Sequence, residues 1–140
     1  MYLDKKIDFF NPVRIFFGRS TRSILNDNLK GKKSLVIASK RTKELLLADE
    51  LFFKFFNSSS VTWFTNIEQN PDLNKLQTKI QSIKSINCDV IIAVGGGSTI
   101  DTGKIISILL TPTLRDKSIK RLLAEPTLYN KVTSIPLYAI

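Results

Sequence analysis

The chain has 140 residues, 43% of them hydrophobic, a formal net charge of +9, one cysteine and no histidine. That length suits one domain, and that apolar fraction is too high for a disordered chain. One cysteine excludes an internal disulfide framework, no apolar run approaches the roughly 20 residues that span a bilayer, and Met1–Lys6 has no apolar signal core, so a cytoplasmic protein without membrane contact is expected.

In chain order, Val13–Phe17 alternates and predicts a strand. Gly18–Thr21 turns into a short helix over Thr21–Leu29, and Gly31 suits the left-handed position just past its end. Ser34–Ala38 is a short apolar run, the pattern of a buried strand. Ser39–Thr42 leads into a helix carrying Leu45, Leu46, Phe52, Phe53 and Phe56 on its inner side. Asn57–Ser60 is a loop and Val61–Thr65 a third strand. The stretch Glu68–Asp72 starts the next helix, with Asp72 as N-cap. Leu73, Leu76, Ile80, Ile83 and Ile86 then recur at helical spacing. Asp89–Val94 predicts a strand and Thr99–Leu110 a helix. Thr111–Thr133 is basic and polar and reads as a loop with a short helix around Ile119–Leu123; Ile135–Ile140 is a final strand.

Strands alternating with helices predict an α/β fold, a Rossmann-like, mostly parallel sheet with flanking helices. No repeat or Gly/Ser-rich linker divides the chain, so one domain over 1–140 is expected. Ligands of such sheets bind beyond the carboxyl ends of the strands, where the turns after Ala38, Thr65 and Val94 fall.

Val90–Lys104 carries the strongest chemical signal. An apolar β-branched run ends in Gly95, Gly96 and Gly97, then Ser98 and a helical pattern. Backbone N–H groups at a helix start are unpaired and partly positive, and glycine lets a phosphate approach them closely. Gly96 and Gly97 would contact a pyrophosphate through their N–H groups. Ser98 would cap the helix or bind a phosphate oxygen, with Thr99 beside it. Asp101, in the first helical turn, suits the helix dipole. Lys104 lies on the same face as its ion-pair partner.

The pattern Gly-Gly-Gly-Ser-x-x-Asp-x-x-Lys resembles the iron-containing (group III) alcohol dehydrogenases, a superfamily that includes glycerol dehydrogenase and dehydroquinate synthase. Asn11–Gly18 is similar to that family's opening strand and turn, Asn70-Pro71 to a loop ahead of its glycine strand, and Ile135–Ile140 to the strand leading into its Thr-Thr-x-Gly-Thr-Gly-Ser-Glu segment. The resemblance covers nearly all of this chain and only the N-terminal part of the family's length. It implies a dinucleotide-binding α/β part of an oxidoreductase that moves a hydride between NAD(P)H and a small aldehyde or alcohol. It also implies a metal, Fe2+ or Zn2+, on one aspartate and three histidines of a helical C-terminal domain. A chain without histidine lacks that set, so no metal ligand and no catalytic residue is assigned here, and the truncated chain alone is expected to be inactive.

The same resemblance sets Asn70 against the cofactor and Asp101 near its nicotinamide end, and puts Ser39 where the family often has an acid on the adenosine ribose. Serine does not repel a 2′-phosphate, and Lys40 or Arg41 would receive it, which favours NADP(H) over NAD(H). Against that stands a plain Ser39 N-cap followed by surface charges. Gly103 stands where the family usually has alanine, and Phe17–Ser20 lacks the family's second glycine. The Ser39–Thr42 and Val61–Pro71 stretches look most like the phosphonoacetaldehyde-reductase branch. Trp63, the Phe52–Phe56 cluster and Cys88 read as core. The alternatives are a dehydroquinate-synthase-like lyase and a non-catalytic nucleotide-binding remnant, against which the apolar end Leu137–Ile140 argues by looking cut short. A nucleic-acid partner is not expected, since the basic residues are scattered; the oligomeric state, a homodimer included, stays open.

Overall fold

The computed structural model describes residues 14–18, 21–57, 60–67, 72–128 and 132–140. Strands β1 (Ser34–Ala38), β2 (Val61–Phe64), β3 (Val90–Val94) and β4 (Leu137–Ala139) form one sheet in the order β2-β1-β3-β4, every pair parallel. Residues of β1 and β3 are buried throughout, as parallel strands covered on both faces require, and this is why they read as unbroken apolar runs.

Helices α1 (Thr21–Leu29), α2 (Lys40–Ala48) and α3 (Glu50–Phe56) pack on one face around Val36, Phe56 and Ile92. Helices α4 (Leu73–Gln81), α5 (Gly97–Leu109) and α6 (Ile119–Ala124) pack on the other around Leu35, Ile80, Ile91 and Ile106. A short 3-10 turn at Pro126–Leu128 precedes β4. The two faces follow from the strand order. The connection from β1 to β2 runs one way along the sheet and those from β2 to β3 and β3 to β4 run the other, so right-handed crossovers must use opposite faces.

Most boundaries follow local capping. Gly31 adopts φ 76° just past α1, and the Asp72 carboxylate accepts from Asn74 N (2.8 Å) and Lys75 N (3.2 Å) at the start of α4. The single helix expected after Ser39 is two. Asp49 is extended, and its carboxylate accepts from Leu51 N at 2.9 Å and Phe52 N at 3.2 Å, so it ends α2 and starts α3. The break changes the helix phase. Phe56 is buried, whereas Leu45 and Phe53, expected inside, are 62% and 44% exposed. Leu73 sits in the first position of α4 and is exposed as well.

The strand expected over Val13–Phe17 is not one. Residues 14–17 have no regular structure and Phe17 is 99% exposed, while Val13 lies outside the described residues. A strand needs a neighbour to pair with, and its own alternation cannot supply one. The last strand is shorter than Ile135–Ile140, pairing from Leu137 to Ala139.

Among the described residues no helix is long and apolar enough to cross a membrane.

Candidate functional site

Because all strands are parallel, their carboxyl ends share one edge. The chain leaves β1 toward β2 and leaves β3 toward β4, so the strand order reverses between β1 and β3. Doubly wound sheets bind ligands at such a switch point. Ser39 and Lys40 follow β1 there, and Gly95–Gly97 follow β3. The register places Ala38 opposite Val94, so the two turns are neighbours.

The three glycines have different reasons to be glycine. Gly95 has φ 148°, and a Cβ on it would lie 2.8 Å from Thr99 Oγ1 and 3.2 Å from Thr99 Cβ. Its N–H is already spent on the Ile140 carbonyl at 3.0 Å. Gly95 is therefore glycine for the fold. Gly96 has φ −76° and ψ −172°, open to any residue, and a Cβ on Gly96 or Gly97 would meet nothing within 4 Å among the described residues. Among the described residues neither conformation nor packing asks for glycine at these two positions.

Helix α5 starts two residues earlier than its apolar pattern indicates. Gly96 is its N-cap, with no side-chain capping bond, so Ser98 is the second helical residue and does not cap. The first N–H turned back into the chain is that of Thr99, at 3.0 Å from the Gly96 carbonyl. The N–H groups of Gly96, Gly97 and Ser98 meet no acceptor among the described residues, as expected at a helix start. Thr99 is buried beneath the loop against Gly95. The early start also moves Asp101 out of the first turn. Its exposed carboxylate accepts from Lys104 Nζ at 3.0 Å, the ion pair read from the spacing. Gly103 is buried, and a Cβ there would lie 3.0 Å from Ala93 Cβ and 3.2 Å from Leu137 Cδ1, so its glycine lets α5 lie close on β3 and β4.

At the end of β1 the hydroxyl of Ser39 accepts from Thr42 N at 3.0 Å and shares a 2.8 Å bond with Thr42 Oγ1. The N-cap reading is thus realised. An open cavity of about 380 Å³ lies beside it, lined by Lys40, Lys43, Glu44, Leu47 and Thr65. Arg41 is exposed and does not line it. Lys43 was missed from sequence, although its spacing of three from Lys40 places it on the same helical face. Asn70 lies outside the described residues.

Cys88 lies at the opposite edge of the sheet, buried, where burial first and the Asp89 charge second raise its thiol pKa while Arg115 lowers it. A protonated, buried thiol is a poor nucleophile. Among the described residues no group of three Cys, Asp or Glu side chains could hold a metal ion.

Residues 12–140 match the model of the iron-containing alcohol dehydrogenase family. The chain is 28% identical over 113 residues to 1,3-propanediol dehydrogenase of Citrobacter freundii, an alignment covering 76% of this chain and 29% of that protein. The chain thus spans less than a third of that relative's length. Its fold is similar to an iron-containing alcohol dehydrogenase of Thermotoga maritima, with TM-score 0.73 and 23% identity over 94% of this chain and 36% of that one. It is similar as well to sulfoacetaldehyde reductase of Bifidobacterium kashiwanohense in complex with NAD+, with TM-score 0.72 and 22% identity over 96% and 35%.

Proposed function

The chain belongs to the iron-containing alcohol dehydrogenase family, and we propose that it is the cofactor-binding part of an oxidoreductase that moves a hydride between NAD(P)H and a small aldehyde or alcohol. The observation that carries this reading is the space over Gly96 and Gly97: glycine is kept at two positions where the fold has no use for it, beside unpaired N–H groups at the switch point. A bound pyrophosphate accounts for both. It fits where a Cβ would project, and it accepts from the N–H groups of Gly96, Gly97 and Ser98 at the positive end of α5.

In this reading Ser39 and Lys40 take the adenosine end, across the edge on β1. Asp101, held by Lys104, stands toward the rest of the cofactor. The nicotinamide supplies the hydride when bound; the protein holds the dinucleotide and sets its direction. The absence of a carboxylate at Ser39 favours NADP(H), although one structural relative was solved with NAD+.

The family implies a metal, and this chain's own donors do not fit one: it has no histidine, and its described acids and thiol do not cluster. We infer that the 140-residue chain binds cofactor without turning over substrate. Titration of the purified protein with NADPH and with NADH, followed by nicotinamide fluorescence, tests the binding; no saturable binding of either refutes it. Consumption of NADPH by the chain with propanal and Fe2+ or Zn2+ refutes the inactivity.

A further inference from the structure

The amino edge of the sheet carries polar chemistry that neither the core nor the glycine loop uses. Lys33, Ser34, Ser60, Thr62 and Asn87 line, beside Cys88, a cavity of about 310 Å³ there. That volume lies within the range of small-molecule sites. The sheet gathers the lining from three separate segments. Ser34 opens β1 and is in register with Val61 of β2 and Val90 of β3, so the connections ahead of the three strands meet at this edge. The Lys33 backbone is clamped, since its N–H donates to the Asp89 carboxylate at 2.8 Å and its carbonyl accepts from Asp89 N at 2.8 Å.

Two independent observations mark the cavity as more than a gap between loops. The first is Ser34. It is the single polar residue of β1 and is 2% exposed, yet its hydroxyl makes one bond among the described residues, to the Lys32 carbonyl at 3.5 Å. Hydroxyl bonds ordinarily run to about 2.7–2.8 Å, so this buried group is left without a good partner, which a fold tolerates only at a cost. The second is charge. Among the described residues no carboxylate lines the cavity, and Lys30, Lys32 and Lys33 make no ion pair. The dipole of α1 accounts for a cation after its last turn, but not for a poorly partnered serine beside it.

We propose that this cavity is a phosphate-group site distinct from the glycine loop. Lys33 supplies the charge, and the hydroxyls of Ser34 and Thr62 and the amide of Asn87 donate to the phosphate oxygens. The group comes either from free inorganic phosphate or from a small phosphomonoester, for which the cavity has room. The five residues of β3 separate it from the glycine loop by roughly 17 Å, so one site can fill without the other, and the proposal does not rest on the dinucleotide reading.

The test titrates the purified, 15N-labelled protein with inorganic phosphate and with glycerol 3-phosphate, ionic strength being held constant with sodium chloride. Saturable amide shifts are expected at Ser34, Thr62 and Asn87. Tighter binding of glycerol 3-phosphate assigns the site to a phosphomonoester, and equal binding assigns it to free phosphate. Lys33→Met should weaken binding about tenfold or more, and Ser34→Ala and Thr62→Val about threefold each. Ser34→Ala should also melt no earlier than the parent, because the hydroxyl it removes has no good partner in the fold. Absence of saturable binding overturns the proposal. So does binding that Lys33→Met leaves unchanged, since the phosphate then sits elsewhere, the glycine loop included. A clear fall in Tm for Ser34→Ala shows that the fold itself satisfies the hydroxyl, and overturns it as well.

Discussion

Replacing each loop glycine by alanine separates what the fold needs from what a ligand needs. Alanine at 95 must hold φ near 148° and place Cβ 2.8 Å from Thr99 Oγ1. A residue held in such a region costs about 1–3 kcal/mol, and the contact with Thr99 adds to it. Alanine at 96 or 97 meets no atom of the described residues within 4 Å and needs no unusual backbone. There the substitution only restricts the unfolded chain, which stabilises by roughly 0.4–1 kcal/mol. At about 4 °C per kcal/mol for a domain of this size, Gly95→Ala should lower Tm by roughly 4–12 °C, and Gly96→Ala and Gly97→Ala should leave it level or raise it slightly. Cofactor binding should run the other way at 96 and 97. The new methyl groups stand where the pyrophosphate would lie and lengthen charge-assisted bonds, so NADPH affinity should fall about tenfold or more in each. Thermal melts and NADPH titrations on the same preparations measure both. If Gly96→Ala or Gly97→Ala melts as early as Gly95→Ala, or binds NADPH as tightly as the parent, the assignment of these glycines to a ligand is wrong.

Asp49→Ala should cost about 1 kcal/mol in urea unfolding, because its carboxylate holds two N–H groups where α2 ends and α3 begins; a neutral result would mean that the break is set elsewhere. Gly103→Ala should destabilise by about 1 kcal/mol despite the better helix former. Ala93 Cβ, 3.0 Å from the new methyl, is fixed to β3, so α5 must lift; a stabilised variant would show that the sheet yields instead. Cys88 gives a pH signature. Its folded pKa is raised above 9.0, so its contribution is fully present below pH 9.0 and is lost as pH rises through the folded value. Tm should therefore fall more steeply above that pH in the parent than in Cys88→Ala, and parallel profiles would contradict the burial argument.

The chemistry of single segments was legible in the sequence because its causes are local. Ser34–Ala38 and Val90–Val94 are apolar throughout because both faces of a parallel strand are covered, and Asp72 and Gly31 mark helix ends through bonds and dihedrals spanning only a few residues. The Gly95–Lys104 pattern gave the expectation of an anion site by the same kind of short-range argument, and the structure shows the uncapped helix start on which that expectation rests. Asp49 carried a cap signal too, but the surrounding leucines and phenylalanines hid it. Pairing was decided only by the tertiary structure. Nothing local states that β1 lies between β2 and β3, and without that order there is no switch point and no reason for the turn after Ala38 to lie beside the turn after Val94. Arg14–Phe17 shows the converse, a segment with strand character and no partner among the described residues. The tertiary structure also separated glycine from glycine and lysine from arginine. Gly95 is held by Thr99 and Ile140 while Gly96 and Gly97 face open space among the described residues, and Lys43 lines the cavity beside β2 while Arg41 does not. Those distinctions arise between residues brought together by packing, where a sequence shows only that they exist.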